Sequence, residues 1–281
     1  MAYYNSVGTP RFYVNIVEWL MNNGVTDDIL FDLEIYGNLF RTLPVTPMTL
    51  SSSVGASLKF NIPNIGSNGF VAVLGHNMES TKYLYEIYEG QSEVWEWGSY
   101  VSIGSVVIGK FFEMSHSPDL NLTLEYQTGT KTIETRGGAS LSNTMAQPPK
   151  WGDNLAQWEL SDPNSSIAEQ SLVHKSRRIW SLSFSFLSKE STFPKYNALN
   201  RYTNANLSDT DLLDNAEETL LDSDNFMSQV WEKVGTASPF IFQPDKDTPE
   251  FAIAKFVDNS LKVTQVAHQI YTIRVTVREV W

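Results

Sequence analysis

The chain has 281 residues, no cysteine, 42% hydrophobic and 19% charged residues, and a formal net charge of −12. That length can bury one large core or two smaller ones, with two the ordinary division, and the chain is too apolar to be disordered. Without cysteine, neither disulfides nor thiolate metal sites hold the fold, and so acidic a surface repels a phosphate backbone, so no sequence-specific nucleic-acid binding is expected.

Residues 1–6 lack the basic start and apolar core of a signal peptide, and no run approaches the roughly 20 apolar residues that cross a bilayer. Neither export nor membrane anchoring is expected. Thr9 and Pro10 read as an N-cap and first helical position, and Tyr13, Ile16, Val17 and Leu20 follow at helical spacing, with Gly24 as a stop. This predicts a short amphipathic helix over residues 10–22, although Phe12 to Val17 also suits a strand. Such an N-terminal helix serves either as an arm docking on a neighbouring subunit or as a lid on its own core.

From residue 29 onward the pattern turns to β. Leu58 to Ile62, Gly69 to Leu74, Tyr83 to Tyr88 and Tyr100 to Phe112 are rich in β-branched and aromatic residues, with Gly, Asn and Ser between them. Phe70 to Leu74 is apolar throughout, as in a strand covered on both faces. The texture changes at Glu113 to Pro118, which we take as a domain boundary.

Beyond it, Leu120, Leu122, Leu124 and Tyr126 alternate with polar residues, and Trp180, Leu182, Phe184 and Phe186 alternate with Ser181, Ser183 and Ser185. Residues 197–224 are dense in Asn and acids, including Asp209, Asp211 and Asp214, and suit a long loop. A helix is predicted near residues 224–234, capped by Asp or Ser at 222–224 and stopped by Gly235. The last third returns to strands, ending with Tyr271, Ile273, Val275 and Val277 facing one way and Thr272, Arg274, Thr276 and Arg278 the other.

No constellation for catalysis stands out. The histidines at 76, 116, 174 and 268 are far apart in sequence, unlike the close pairs of zinc or iron sites. Asp209 with Asp211, and Asp245 with Asp247, suggest calcium loops, yet the glycine and closing glutamate are missing. No phosphate-binding, dinucleotide-binding or nucleophile-elbow motif occurs, so no cofactor, metal or enzymatic activity is expected. Trp95 and Trp97, with Tyr83, Tyr85 and Tyr88 nearby, offer a sugar-stacking platform or ordinary core filling. Lys175, Arg177 and Arg178 make intersubunit ion pairs with the acidic loop, or simply flank a strand.

Taken together, Gly69 to Met78, Val106 to Phe112, Lys175 to Phe184, Pro239 to Pro244 and Arg278 to Trp281 resemble minor tail and baseplate proteins of tailed bacteriophages, over roughly residues 41–281. Within that group the chain is similar to the distal tail proteins, although their usual domain order is the reverse of this one. The resemblance implies a non-enzymatic structural virion protein, made in the host cytoplasm and carried in the phage tail. It would form a cyclic homo-oligomer, a hexamer, linking the tail tube to tip or fibre proteins.

The expected architecture is mainly β. A helical arm over residues 1–40 precedes a jelly-roll or galectin-like β-sandwich over 41–112 and a tail-tube-like β-sandwich over 113–281 with one flanking helix. Intersubunit contacts are expected at Arg177, Arg178, Arg274, Arg278, Asp209, Asp211 and Asp214. The alternative is a carbohydrate-binding module or adhesin reading a host surface glycan through Trp95, Trp97, Tyr83, Tyr85 and Tyr88.

Overall fold

The computed structural model describes residues 7–23, 37–42, 48–50, 56–60, 68–74, 84–87, 93–97, 101–120, 122–128, 130–144, 176–194, 224–248 and 251–280. The fold is mainly β, with a large antiparallel sheet and few helices. Sixteen strands occur in these residues. The first eight are β1 (Arg11–Asn15), β2 (Met48–Leu50), β3 (Ala56–Phe60), β4 (Gly69–Leu74), β5 (Leu84–Ile87), β6 (Glu93–Trp97), β7 (Val101–Ile103) and β8 (Ser105–Glu113). The others are β9 (Thr123–Thr128), β10 (Thr130–Glu134), β11 (Ser140–Thr144), β12 (Ser176–Ser188), β13 (Phe240–Gln243), β14 (Ala252–Phe256), β15 (Lys262–Ala267) and β16 (Ile270–Glu279).

One ten-stranded sheet runs in the order β5, β4, β8, β1, β13, β14, β16, β12, β9, with β15 paired to β16. Strands from all three regions distinguished in the sequence, 1–40, 41–112 and 113–281, share this sheet. Within residues 11–113 the pairs are nested: β1 with β8, β2 with β7, β3 with β6 and β4 with β5, all antiparallel.

The N-terminal helix expected over residues 10–22 requires correction. Arg11–Asn15 is a strand at the centre of the sheet, between β8 and β13, and only Ile16–Asn22 is helical (α1). Phe12 and Tyr13, adjacent in sequence, are both buried because the two faces of the strand are both covered. Asn15 ends the strand and caps α1, its side-chain oxygen accepting from the Glu18 amide at 3.2 Å.

The two faces carry two cores. On the first, Phe12 packs with its ring centroid 5.3 Å from Phe242, 5.6 Å from Phe226 and 5.7 Å from Phe240. Trp180, Leu182, Phe184, Ile273, Val275 and Val277 extend that core along β12 and β16. It is closed by a helix, α2, a π-helical turn at Met227–Trp231 continued by α-helix at Glu232–Val234, from which Val230 and Val234 point inward. Asn225 rather than residues 222–224 supplies the cap, its Oδ1 accepting from the Ser228 amide at 2.9 Å. Gly235 takes φ 53° just past the end, where a side chain would be strained.

The second face carries Tyr13, Phe70, Ala72, Val107, Phe111, Ile241 and Ile253, so it is apolar over β4, β8, β1 and β13. Farther along the same face, over β16, β12 and β9, the side chains become polar.

Candidate functional site

Residues directly opposite in an antiparallel pair share a face, so register alone assembles the polar half of the second face. Arg177 stands opposite Gln127, Ile179 opposite both Glu125 and Arg278, Ser181 opposite Thr123 and Thr276, and Ser183 opposite Arg274. Lys255 stands opposite Arg278, and Lys262 opposite Arg274. Five cations, Arg177, Lys255, Lys262, Arg274 and Arg278, thus share one face of a chain whose net charge is −12. Like charges facing each other across strands weaken a sheet. Burial first, and then the nearby Arg278 guanidinium, push Arg177 below its ordinary value, with Glu279 opposing. Arg278 donates through Nη2 to Gln127 Oε1 at 2.6 Å, while its buried Nε has no hydrogen-bond partner among the described residues.

Of the arginines singled out from sequence, Arg177, Arg274 and Arg278 share this face, Arg177 and Arg278 toward the hairpin and Arg274 four residues before Arg278. Arg178, one residue on, faces the opposite side and is buried against Glu279, so its charge is spent inside the fold. Asp209, Asp211, Asp214, Tyr83 and Tyr88 lie outside the described residues. Tyr85 falls within β5, and Trp95 and Trp97 within β6, in register with Leu58 and Ala56.

Sequence reasoning overlooked Lys255, Lys262 and Asp119. Period two already placed Ser181, Ser183 and Thr276 on polar faces, but the arrival of Asp119 beside Ser185 spans 66 residues and leaves no local trace. Asp119 Oδ2 accepts from Ser185 Oγ at 2.8 Å and its Oδ1 from the Ser185 amide at 3.3 Å. Burial acts to raise the Asp119 carboxyl, but the hydrogen bonds from Ser185 and Ser183, with His116 nearby, outweigh it and hold the group below its ordinary value.

The other end of this region is apolar. Among the described residues β9 forms one edge of the sheet and β10, one residue on in sequence, pairs with β11 and with no other strand. In this hairpin Ile133 and Leu141 stand opposite each other at 56% and 62% exposure.

The Asp245 to Asp247 segment closes on itself as a turn, with the Asp247 amide donating to Asp245 Oδ1 at 3.1 Å, and Lys246 reaches out to Glu113 at 2.7 Å. Among the described residues no group of three or more His, Asp or Glu side chains is placed to hold a metal ion, and no helix is long and apolar enough to cross a membrane. No protein family, curated protein or solved structure matches the chain.

Proposed function

We propose that this chain is a structural, non-enzymatic protein of a phage tail tip or baseplate, a subunit that joins copies of itself in a cyclic ring between the tail tube and tip or fibre proteins. The observation that carries this reading is the β10–β11 hairpin. A two-stranded hairpin is marginal in water on its own, and this one displays its facing apolar pair, Ile133 and Leu141, beside a sheet edge that pairs with no further strand among the described residues. An open edge and an uncovered apolar pair are features that a neighbouring subunit satisfies.

Closed rings need a heterologous contact, in which one patch meets a different patch of the next copy. The cations Arg177 and Arg278, at the hairpin end of β12 and β16, suit an acidic neighbouring surface, and Asp209, Asp211 and Asp214 are candidate counterparts. The nested strand pairs of residues 11–113 have the order that a long hairpin gives when folded as in a jelly roll. They support a jelly-roll-like unit beside the helix-flanked, tail-tube-like one, with β1 added to the former.

A second reading, a glycan-binding module of a phage tail, rests on Trp95 and Trp97 at two-residue spacing in β6. Native mass spectrometry and electron microscopy of the purified chain, alone and with tail proteins, test the first reading. A ring of defined copy number, hexameric in this proposal, is expected, whereas a monomer under every condition rejects it. Loss of glycan-array binding in Trp95→Ala and Trp97→Ala would favour the second.

A further inference from the structure

A groove of about 430 Å³ opens on the second face, lined by Asp119, Ser181, Ser183, Arg274 and Thr276 together with Leu182 and Val275. It lies midway along β12 and β16, away from the hairpin, because β9 leaves for β10 beside Ser176 whereas Asp119 sits beside Ser183 and Ser185. Its volume falls within the roughly 300–1,000 Å³ of small-molecule sites.

The groove has two chemically different ends. Arg274 is exposed, makes no hydrogen bond or ion pair with any described residue, and faces Lys262 across the strands. Anion binding between them relieves a like-charge contact. At the other end Asp119 is fixed by its own amide, which donates to the Ser183 carbonyl at 2.7 Å, and by the two bonds from Ser185. A carboxylate has about four lone-pair sites, so Asp119 keeps accepting capacity for hydroxyl groups. Ser183 stands between the two ends, opposite Arg274 and bonded through its carbonyl to Asp119. Two residues along the strands, Ser181 and Thr276 face each other with hydroxyls that bond to no other described residue.

The backbone is bent to make this arrangement. A bulge between Phe184 and Leu187 interrupts the ladder, leaving the Ser185 amide to Asp119 and forcing Phe186 to φ 63°. A bulky residue seldom adopts that conformation, and bulges of this kind re-aim groups near binding sites.

A bare anion would use only the Arg274 end, and a neutral sugar only the hydroxyls and Asp119. A compact ring with one carboxylate and several hydroxyls uses both. We propose that the groove binds an acidic sugar, its carboxylate taken by Arg274 with Lys262, and its hydroxyls donating to Asp119 and bonding with Ser181, Ser183 and Thr276. Guanidinium and carboxylate match as a two-pronged charged pair, which orients the ring as well as holding it. This inference does not depend on the ring-forming role, since the groove is lined by the middle of β12 and none of its lining residues belongs to the hairpin.

The test is calorimetric titration of the full chain with digalacturonate, with uncharged galactobiose and inorganic phosphate as comparison probes. Saturable binding of digalacturonate is expected, at least tenfold tighter than either comparison probe. Arg274→Gln should weaken it at least tenfold, and Arg177→Gln, at the hairpin end, by less than twofold. Asp119→Asn should weaken it several-fold, and because that change could loosen the bulge, Thr276→Val serves as a second variant, with a several-fold loss at unchanged thermal stability. Absence of saturable binding, binding indifferent to Arg274→Gln, or phosphate binding as tightly as digalacturonate would each overturn the proposal, the last reducing the site to a simple anion contact.

Discussion

Arg178 and Glu279 form an ion pair inside the sheet, Nε to Oε2 and Nη2 to Oε1 both at 3.2 Å, with side chains only 4% and 5% exposed. The Arg178 amide adds a third bond to Oε2 at 2.9 Å, and its guanidinium lies over the Trp180 ring at 5.1 Å. Charges so far from water are tolerated only in company. Glu279→Leu should therefore cost about 3–5 kcal/mol by removing the carboxylate that neutralises the buried guanidinium, whereas Arg178→Met combined with Glu279→Leu should recover most of that loss. Urea denaturation of the single and double variants checks this, and equal losses in both would show that packing, not charge, dominates there.

A second charged group lies nearer the surface and should set an acid limit on stability. Glu113 accepts from Arg11 Nε at 2.9 Å and from Lys246 Nζ at 2.7 Å. Burial acts to raise its carboxyl, but the bonds from Lys246 and Arg11 win and hold it below the ordinary 4.5. With the folded value depressed, the unfolded chain takes up protons first, so the contribution is complete above pH 4.5 and fades as pH falls through the folded value. Urea midpoints of wild type and Glu113→Gln should converge toward low pH and separate toward neutrality. High salt should narrow the gap, since the group is partly exposed.

The contrast between Phe184 and Phe186 gives a third expectation. Alternation along β12 places both on one face in sequence, yet Phe184 is buried at 1% exposure and Phe186 stands 78% exposed beyond the bulge. Phe184→Ala should cost about 3–5 kcal/mol. Phe186→Gly should change stability by less than about 1 kcal/mol, because relief of the positive φ offsets the added chain entropy of glycine. Thermal melts of the two variants decide the matter.

That same bulge marks how far local patterns reach. Period-two alternation located β12 and β16, because a half-buried strand writes its environment into neighbouring residues. It did not reveal the bulge, which depends on Asp119 arriving from elsewhere. The helical spacing of Tyr13, Ile16, Val17 and Leu20 extended one true helix backward over β1, where pairing with β8 and β13 overrides the local preference. The arginines at 274 and 278 were visible as outward-facing residues, but their like-charge confrontation with Lys262 and Lys255 exists only in the strand register.

Backbone proximity at the centre of the sheet predicts a sensitive glycine. A Cβ added at Gly109, opposite Asn15 in the β8–β1 pair, would run into the Val14 carbonyl and crowd the Ile16 amide. Neither obstacle is a flexible side-chain end. Gly109→Ala should thus destabilise by about 1–3 kcal/mol or more, although alanine is ordinarily the better residue in a strand. Chemical denaturation against wild type is the measurement, and a neutral outcome would mean that β1 can shift without disturbing the sheet.

The hairpin variants address assembly most directly. Ile133 and Leu141 are more than half exposed, so replacing both with Asp removes little buried area from the chain itself. If a neighbour covers them, Ile133→Asp with Leu141→Asp should leave the melting of an isolated subunit nearly unchanged while shifting sedimentation from a ring toward single chains. Arg177→Glu with Arg278→Glu should weaken the same association and reverse its salt dependence, because an acidic neighbour would then be repelled. Wild-type sedimentation behaviour in all of these variants would show that the uncovered pair is not the contact that joins the copies.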